Sequence, residues 1–374
     1  MLDLSLSGIL VLDLTRLAPG PFASQIMAQL GAEVIKIEEP ERGDPLRGLA
    51  AKSADGIQPM FAMLNRNKKS VALNLKTAAG RQAALQLAAK ADVLLEGFRP
   101  GVMERLGLSY DSLAQTNPGL VYVSISGYGQ SGPYRSRAGH DLNYLALGAF
   151  TALTGGAEGP PGMSGVPVAD MVAGLWGVLG TLAALWQRTR TGRGQHVDVG
   201  MLDSVVSLLA LPLAEQLARG RPPKWGETFL TGGRAYYNVY QTLDGGYMTL
   251  AAIEAPFWRA FCQAVGRPEW VERRDDPDPS GLVGEVAALF REQPTRYWTD
   301  LFAEHDCCCE PVLDLEALAA HPQVVARGLL MDGYLASPIT RQALPPETAP
   351  SLGEHTAQIL AELEQGGSDL STSK

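Results

Sequence analysis

Ile9-Leu10-Val11-Leu12-Asp13-Leu14-Thr15 leads into Pro21-Phe22-Ala23-Ser24-Gln25-Ile26-Met27-Ala28-Gln29-Leu30, and then into Glu33-Val34-Ile35-Lys36-Ile37-Glu38. The outer runs are short and rich in β-branched and aliphatic residues, as buried strands are. The run between them reads as a helix opening at a proline. Strand, helix, strand at this spacing is a βαβ unit. The pattern continues with a strand over Ser70–Leu75, an alanine-rich helix over Ala78–Lys90, and strands over Asp92–Glu96 and Leu120–Ser126. The expected fold class is α/β, with a Rossmann-like large domain built on a mostly parallel sheet.

Further along, Asn143–Leu153 reads as a helix and Gly155–Gly165 as a Gly/Pro-rich loop. A long apolar helix follows over Met171–Arg188, then a strand over Gln195–Val199. The uncharged run Met171–Gln187 borders on membrane-span length. Its glycines and its flanks, Asp170 and Arg188, fit a core helix better. Composition shifts to Pro, Arg and Gly at Gly220–Trp225, which marks a linker. Tyr236–Thr242 and Tyr247–Ala252 flank Leu243-Asp244-Gly245-Gly246 and read as a hairpin. The expected organisation is a large domain over residues 1–200, a linking helix and linker over 201–225, a smaller α+β domain over 226–325, and a segment over 326–374 that returns to the large domain. Pro345, Pro346 and Pro350 lie in that returning segment, and Ser368–Lys374 reads as a disordered tail.

A length of 374 residues exceeds one simple core. The net charge of −9 disfavours nucleic acid as a partner, because phosphate contacts need a basic surface. Cys307, Cys308 and Cys309 are consecutive and cannot converge on one metal ion, so they read as reduced thiols of a cytoplasmic protein. Met1–Gly8 lacks a basic, then apolar, leader pattern, so no secretory signal is expected.

Gly127-Tyr128-Gly129-Gln130-Ser131-Gly132 fits the dinucleotide pattern GxGxxG. However, no convincing helix opens after it and no acid follows at the required distance, so nicotinamide binding is not expected. Gly139-His140-Asp141-Leu142-Asn143-Tyr144 joins a proton-transfer residue to a helix start. Its plainer reading is an Asp141 helix cap beside a surface histidine. Asp170, at the mouth of the apolar helix, is either a desolvated base or nucleophile, or an N-cap. Glu254 ends a strand, as a turn cap or as a partner for a histidine. Arg42 and Arg47, then Arg66, Lys68 and Lys69, then Arg99 lie in loops next to strands, where open α/β sheets bind ligands.

Several of these blocks together resemble a known family. They are Arg16-Leu17-Ala18-Pro19-Gly20-Pro21, Gly31–Glu38, Leu64–Ser70, Glu96-Gly97-Phe98-Arg99-Pro100-Gly101, Ser126–Pro133 and Thr191–Gln195. In this order they are similar to the CaiB/BaiF family, which joins class III CoA-transferases and 2-methylacyl-CoA racemases. The resemblance implies an acyl-CoA substrate, an interlocked homodimer, and no nucleic-acid or membrane partner. It implies no cofactor beyond the CoA thioester. Asp170 matches the family's catalytic aspartate. In the racemase branch His140 is the second acid/base, and Glu254 supports it. CoA contacts are expected from Arg16, Arg47, Arg66, Lys68, Lys69, Arg99, Gly127, Tyr128, Gly129 and Asp141. Enolate support is expected from backbone N–H groups at the helix start near Asp170. Met171-Val172-Ala173 stands where many racemases have glycines, and Glu38–Pro45 with Asn65–Ser70 looks more like transferases. The first reading is a 2-methylacyl-CoA racemase; the alternative is a class III CoA-transferase acting through an aspartyl-CoA intermediate.

Overall fold

A computed structural model describes residues 4–49, 58–155, 161–331, 334–339 and 348–367. The expected tail over Ser368–Lys374, and Pro345 with Pro346, lie outside the described residues. The chain divides into two compact units. One comprises Met1–Gly148, Gly165–Leu208 and Ala326–Lys374; the other comprises Ala149–Ser164 and Leu209–Val325.

The first unit runs β1 (Leu10–Asp13), α1 (Pro19–Gln29), β2 (Glu33–Glu38), α2 (Pro59–Asn65), β3 (Lys69–Ala72), α3 (Ala78–Lys90), β4 (Val93–Glu96), α4 (Val102–Leu106), α5 (Tyr110–Thr116), β5 (Val121–Ser126), α6 (Asp141–Leu147), α7 (Val168–Thr191), β6 (His196–Gly200) and α8 (Met201–Ser207). The six strands are ordered β3-β2-β1-β4-β5-β6, and every neighbouring pair is parallel. This is the doubly wound order. Alternation along each strand supplies both faces. Leu12, Ile35, Val71, Leu94 and Tyr122 pack against α3, α5 and the C-terminal helix. Val11, Val34, Val93, Leu95 and Val123 pack against α1 and α7. Because the strand order reverses between β1 and β4, the loops leaving their carboxyl ends part there and open a crevice.

α7 lies close to α1 because its contact face is made of small residues. A Cβ at Gly174 would fall 2.7 Å from the Pro19 carbonyl oxygen, and one at Gly177 would fall 2.9 Å from Ile125 Cδ1. The helix begins at Val168, immediately after Pro167, three residues earlier than the apolar pattern suggests, so Asp170 lies inside its first turn. α6 is shorter than expected. It ends at Leu147, since Ala149 takes a left-handed φ of 60° and only one 3-10 turn, Thr151–Leu153, follows.

In the second unit a helix, α9 (Ala210–Arg219), precedes the hairpin strands β7 (Tyr237–Gln241) and β8 (Tyr247–Ala251). Helices α10 (Ala255–Ala264), α11 (Ser280–Phe290) and α12 (Thr295–Ala303) follow, then β9 (Cys309–Pro311), α13 (Leu315–Ala320) and α14 (Pro322–Ala326). The three strands pair antiparallel in the order β7-β8-β9. Their core is aromatic, with Trp258, Phe261, Phe290, Trp298 and Phe302 packed together. Cys262, Cys307, Cys308 and Cys309 are free thiols. The Gly/Pro-rich stretch expected inside the large domain clusters instead with this unit; Thr154 Oγ1 donates to the carbonyls of Thr151 and Gly162, closing the stretch on itself.

Back in the first unit, β10 (Leu330–Met331) and β11 (Tyr334–Leu335) pair, and α15 (Thr356–Gly367) covers the sheet edge. There the His355 amide donates to the Ser70 carbonyl of β3, and the Ala72 amide donates to Thr356 Oγ1.

Candidate active site

The crevice at the switch point is a cavity of about 370 Å³. Its walls are Thr15–Leu17 after β1, Gly97–Pro100 after β4 and Ser126–Gly127 after β5, closed by the segment Arg135–His140 with Tyr144 and Asp170. Every one of these residues belongs to the first unit.

Asp141 explains how a histidine and an aspartate distant in sequence share one cavity. Asp141 is the first residue of α6, yet its Oδ1 accepts the amide protons of Ala169 (2.7 Å) and Asp170 (3.3 Å) at the start of α7. One carboxylate therefore caps a helix 28 residues away and satisfies two of its unpaired N–H groups. The two helix starts are pinned side by side, with His140 immediately before α6 and Asp170 in the first turn of α7. The His140 amide donates to Asn143 Oδ1 at 3.1 Å, which holds the entry to α6. Burial pushes the Asp170 carboxyl up to about 7, and the negative charge of Asp141 adds to this.

Tyr144 forms the floor. A Cβ at Gly127 would lie 2.5 Å from its oxygen, and one at Gly139 would lie 2.7 Å from its ring, so the two glycines admit the phenol between them. Burial, with Tyr128 and Asp170 adding, pushes that phenol to about 12, which keeps it a neutral hydrogen-bond donor near neutral pH.

Several sequence expectations are corrected here. Asp141, expected among the CoA contacts, has its Oδ1 engaged as a cap on α7. The Ala169 and Asp170 amides are taken by Asp141, and the Met171 amide by the Pro167 carbonyl, so the helix start offers none of these three for an enolate. Gly129, at φ 77°, turns the chain so that the Gln130 amide donates to Asp198; this turn is built for an internal carboxylate. Gly127 lines the cavity, while Tyr128 packs edge-on against Tyr134 and Tyr144.

The basic residues separate into two groups. Arg16 and Arg99 line the cavity, with the Arg16 guanidinium 5.3 Å from the centre of the Phe98 ring. The other four are engaged elsewhere, three of them within the fold and Lys69 at the surface. Arg47 grips Glu38 through Nε and Nη2 (2.8 and 2.7 Å) while stacking on Phe61. Lys68 is fully buried against Asp13 (3.3 Å), Ser24 (2.8 Å) and Asn65 (2.8 Å). Arg66 stacks on Tyr334 and donates to the Leu335 carbonyl. Lys69 pairs with Glu33 at the amino ends of β3 and β2, the end of the sheet opposite the cavity. Lys36 is likewise internal, bonded to the Thr15 carbonyl (2.8 Å) and Asp44 (3.0 Å). Burial opposes the charge on Asp13, but Lys36 and Lys68, with bonds from Ser24 and Thr15, hold its carboxyl down at about 2. This network fixes the loop after β1, since the Leu17 amide also donates to Asp44.

Sequence reading missed Arg135, Arg137 and Tyr144 as wall residues. The glycines at 127 and 139 were the available signal, since a missing Cβ leaves room for a side chain from elsewhere in the chain. A neighbouring, mostly apolar cavity of about 310 Å³ shares Thr15, Arg16 and Phe98 with the first; Leu73, Leu75 and Lys76 stand on its far side. Glu254 precedes α10 in the second unit and is exposed.

A doubly wound sheet whose switch point holds a histidine, an aspartate whose ionisation burial disfavours, and arginines is the framework of an α/β enzyme for an anionic ligand. The pattern that defines "CoA-transferase family III" matches residues 6–356. The acetyl-CoA:oxalate CoA-transferase of Acetobacter aceti is 35% identical over 87% of this chain and 85% of its own. The succinate–glutarate CoA-transferase of Agrobacterium fabrum is 35% identical over 96% of both chains. The alpha-methylacyl-CoA racemase of Homo sapiens is 34% identical over 96% of this chain and 93% of its own. Among solved structures, a CaiB/BaiF family protein from Brucella suis superposes with a TM-score of 0.83 at 32% identity, covering 96% and 99% of the two chains. The chain belongs to CoA-transferase family III, the CaiB/BaiF family, and is an enzyme of that family.

Proposed function

We propose that this enzyme is a racemase or epimerase of 2-methyl-branched acyl-CoA thioesters, with His140 and Asp170 exchanging the α-proton on opposite faces. The observation that carries the reading is the pinned pair of helix starts: an imidazole and a carboxyl near 7 line one cavity. A thioester α-proton is weakly acidic, and removing it needs a positioned base of pKa near the working pH. Asp170 meets that requirement, and His140 in the same cavity supplies the second acid/base that inversion needs, a partner that nucleophilic transfer through Asp170 does not require. With the Ala169, Asp170 and Met171 amides of α7 occupied, the Tyr144 hydroxyl is a donor of the kind that a developing enolate oxygen needs.

Arg16 and Arg99, joined by Arg135 and Arg137, would meet the anionic parts of the CoA, and the adjoining apolar cavity with Lys76 would take its base. A supporting role for Glu254 rests on the family resemblance. Self-association fits the apolar residues that α7 leaves exposed.

The alternative, CoA transfer between carboxylic acids through Asp170, draws on the transferases among the relatives, which match as well as the racemase does. One incubation separates the two: a 2-methylacyl-CoA in heavy water, with no acceptor acid. The racemase takes up deuterium at the α-carbon and loses stereochemical purity. His140→Ala and Asp170→Ala each cost on the order of a thousandfold in exchange. No deuterium uptake, with CoA transfer appearing once acids are added, would replace the racemase by the transferase.

A further inference from the structure

Behind the Gly97–Pro100 wall lies a second, polar cavity of about 120 Å³. Three side chains from three adjacent strands meet there. Glu96 ends β4, and Ser124 of β5 is its direct partner in the ladder. Ser124 Oγ lies 2.9 Å from His196 Nε2 on the edge strand β6. Ser124 thus stands beside the Glu96 carboxyl, where its hydroxyl favours the ionised acid, and Glu96 Oε2 accepts the Phe98 amide at 2.8 Å. Glu96 and Ser124 are buried, while His196 is exposed and stacks on Tyr110. The chain of bonds thus runs from solvent at His196 to a buried carboxyl that grips the loop carrying Phe98 and Arg99. Arg99 lines both cavities, so that loop is the partition between them.

We propose that Glu96, linked through Ser124 to His196, is a positioning residue for the Phe98–Arg99 wall of the acyl-CoA cavity, and that its ionised form holds the wall in its binding position. This rests on the reading that the cavity takes a CoA thioester. The relay has two states. With Glu96 ionised, the carboxylate accepts from both Phe98 N–H and Ser124 O–H, and Ser124 accepts from His196 Nε2–H. With Glu96 protonated, its O–H donates to Ser124, Ser124 donates to Nε2, and the imidazole carries its proton on Nδ1. Going from the second state to the first releases one proton to water through the exposed imidazole. A carboxylate accepts the Phe98 amide more strongly than a neutral acid does. Burial pushes Glu96 up to about 7, with Glu104 of α4 and Asp198 of β6 adding. Tyr122, Tyr110, Asp111 and Arg99 are the other charged or titratable groups around this cavity. The relay therefore changes state near neutral pH.

The test is calorimetric titration of acetyl-CoA on both sides of neutral pH, in an Asp170→Asn background so that Asp170 cannot contribute. With Glu96 intact, affinity rises about fivefold as pH rises through neutrality. Glu96→Gln keeps an acceptor for Phe98 but stays at the weaker affinity at every pH. Ser124→Ala removes a bond that favours the ionised acid and moves the midpoint to higher pH. The ligand's own phosphate titration is common to all variants and cancels in their ratios. In turnover with Asp170 present, Glu96→Gln raises KM while kcat stays within about twofold. The same pH dependence in Glu96→Gln as in its parent, or a fall in kcat at unchanged KM, overturns the positioning role. Failure of the unaltered protein to bind any CoA thioester overturns the reading of the cavity, and this inference with it.

Discussion

At the scale of single residues, Asp141 and Asp170 carry opposite lessons. Asp170 is placed where ionisation is costly. Between about pH 4 and 7 the folded chain holds a proton there that the unfolded chain has lost, so stability falls as pH rises through that window. Asp170→Asn cannot titrate. It is expected to be inactive yet more stable above neutrality, by up to about 4 kcal/mol, with the gap closing towards pH 4. Melting temperature against pH for the two proteins checks this; equal curves would mean the carboxyl is not desolvated. Asp141→Ala removes the cap and is expected to cost about 1 kcal/mol of stability and most of kcat, with a smaller change in KM. Asp141→Asn keeps the acceptor but deletes the like charge, so the rising limb of the exchange profile, set by Asp170, moves to lower pH. A large rise in KM with kcat intact in either variant would return Asp141 to the CoA contacts. Lys68 offers a third case. Lys68→Met leaves Asp13 buried without one of its counter-ions and is expected to cost about 3 kcal/mol or more in denaturant unfolding.

At the scale of elements, the βαβ units were legible because strand and helix differ in period and in β-branched content, and both are local properties. The ends of elements were less legible. The start of α7 depends on Pro167 and on an Asp141 that arrives from elsewhere in the chain, and the early end of α6 depends on a left-handed Ala149. Charge was the least legible feature. Lys36, Lys68 and Arg47 look like any other cation in sequence, and only the fold shows that carboxylates of β1, of β2 and of the loop after β2 already claim them. The α1–α7 contact gives a test in which two effects have opposite signs. Helix propensity alone favours Gly174→Ala by about 1 kcal/mol. The added methyl, however, meets the Pro19 carbonyl at 2.7 Å, and forcing such helices apart costs about 1–3 kcal/mol. The expected outcome is net destabilisation, together with weaker substrate binding because Pro19 and Gly20 line the cavity. A more stable Gly174→Ala would show that the helices part freely.

At the scale of the whole molecule, α7 poses the remaining question. One face of this 24-residue helix is buried on the sheet, but Leu175, Trp176, Leu179 and Trp186 on the other are 43–66% exposed. Apolar side chains repeated along one face of a helix at such exposure mark an interaction surface. A second copy of the chain is the occupant that the family resemblance implies, and an ordinary dimer and an interlocked one differ in kinetics. Two chains that merely touch exchange partners by dissociating, at rates set by the contact. Two chains threaded through each other must unfold at least locally before they part, so exchange is limited by unfolding. Interlocked chains, mixed as tagged and untagged protein after separate expression, would give no mixed dimers over days, while co-expression would give them in statistical proportion. Leu179→Glu with Trp186→Glu should lower the yield of folded protein when threading couples folding to assembly, and should give a well-folded monomer when the surfaces only dock. Rapid exchange of tagged subunits would exclude interlocking and leave α7 as a simple docking face.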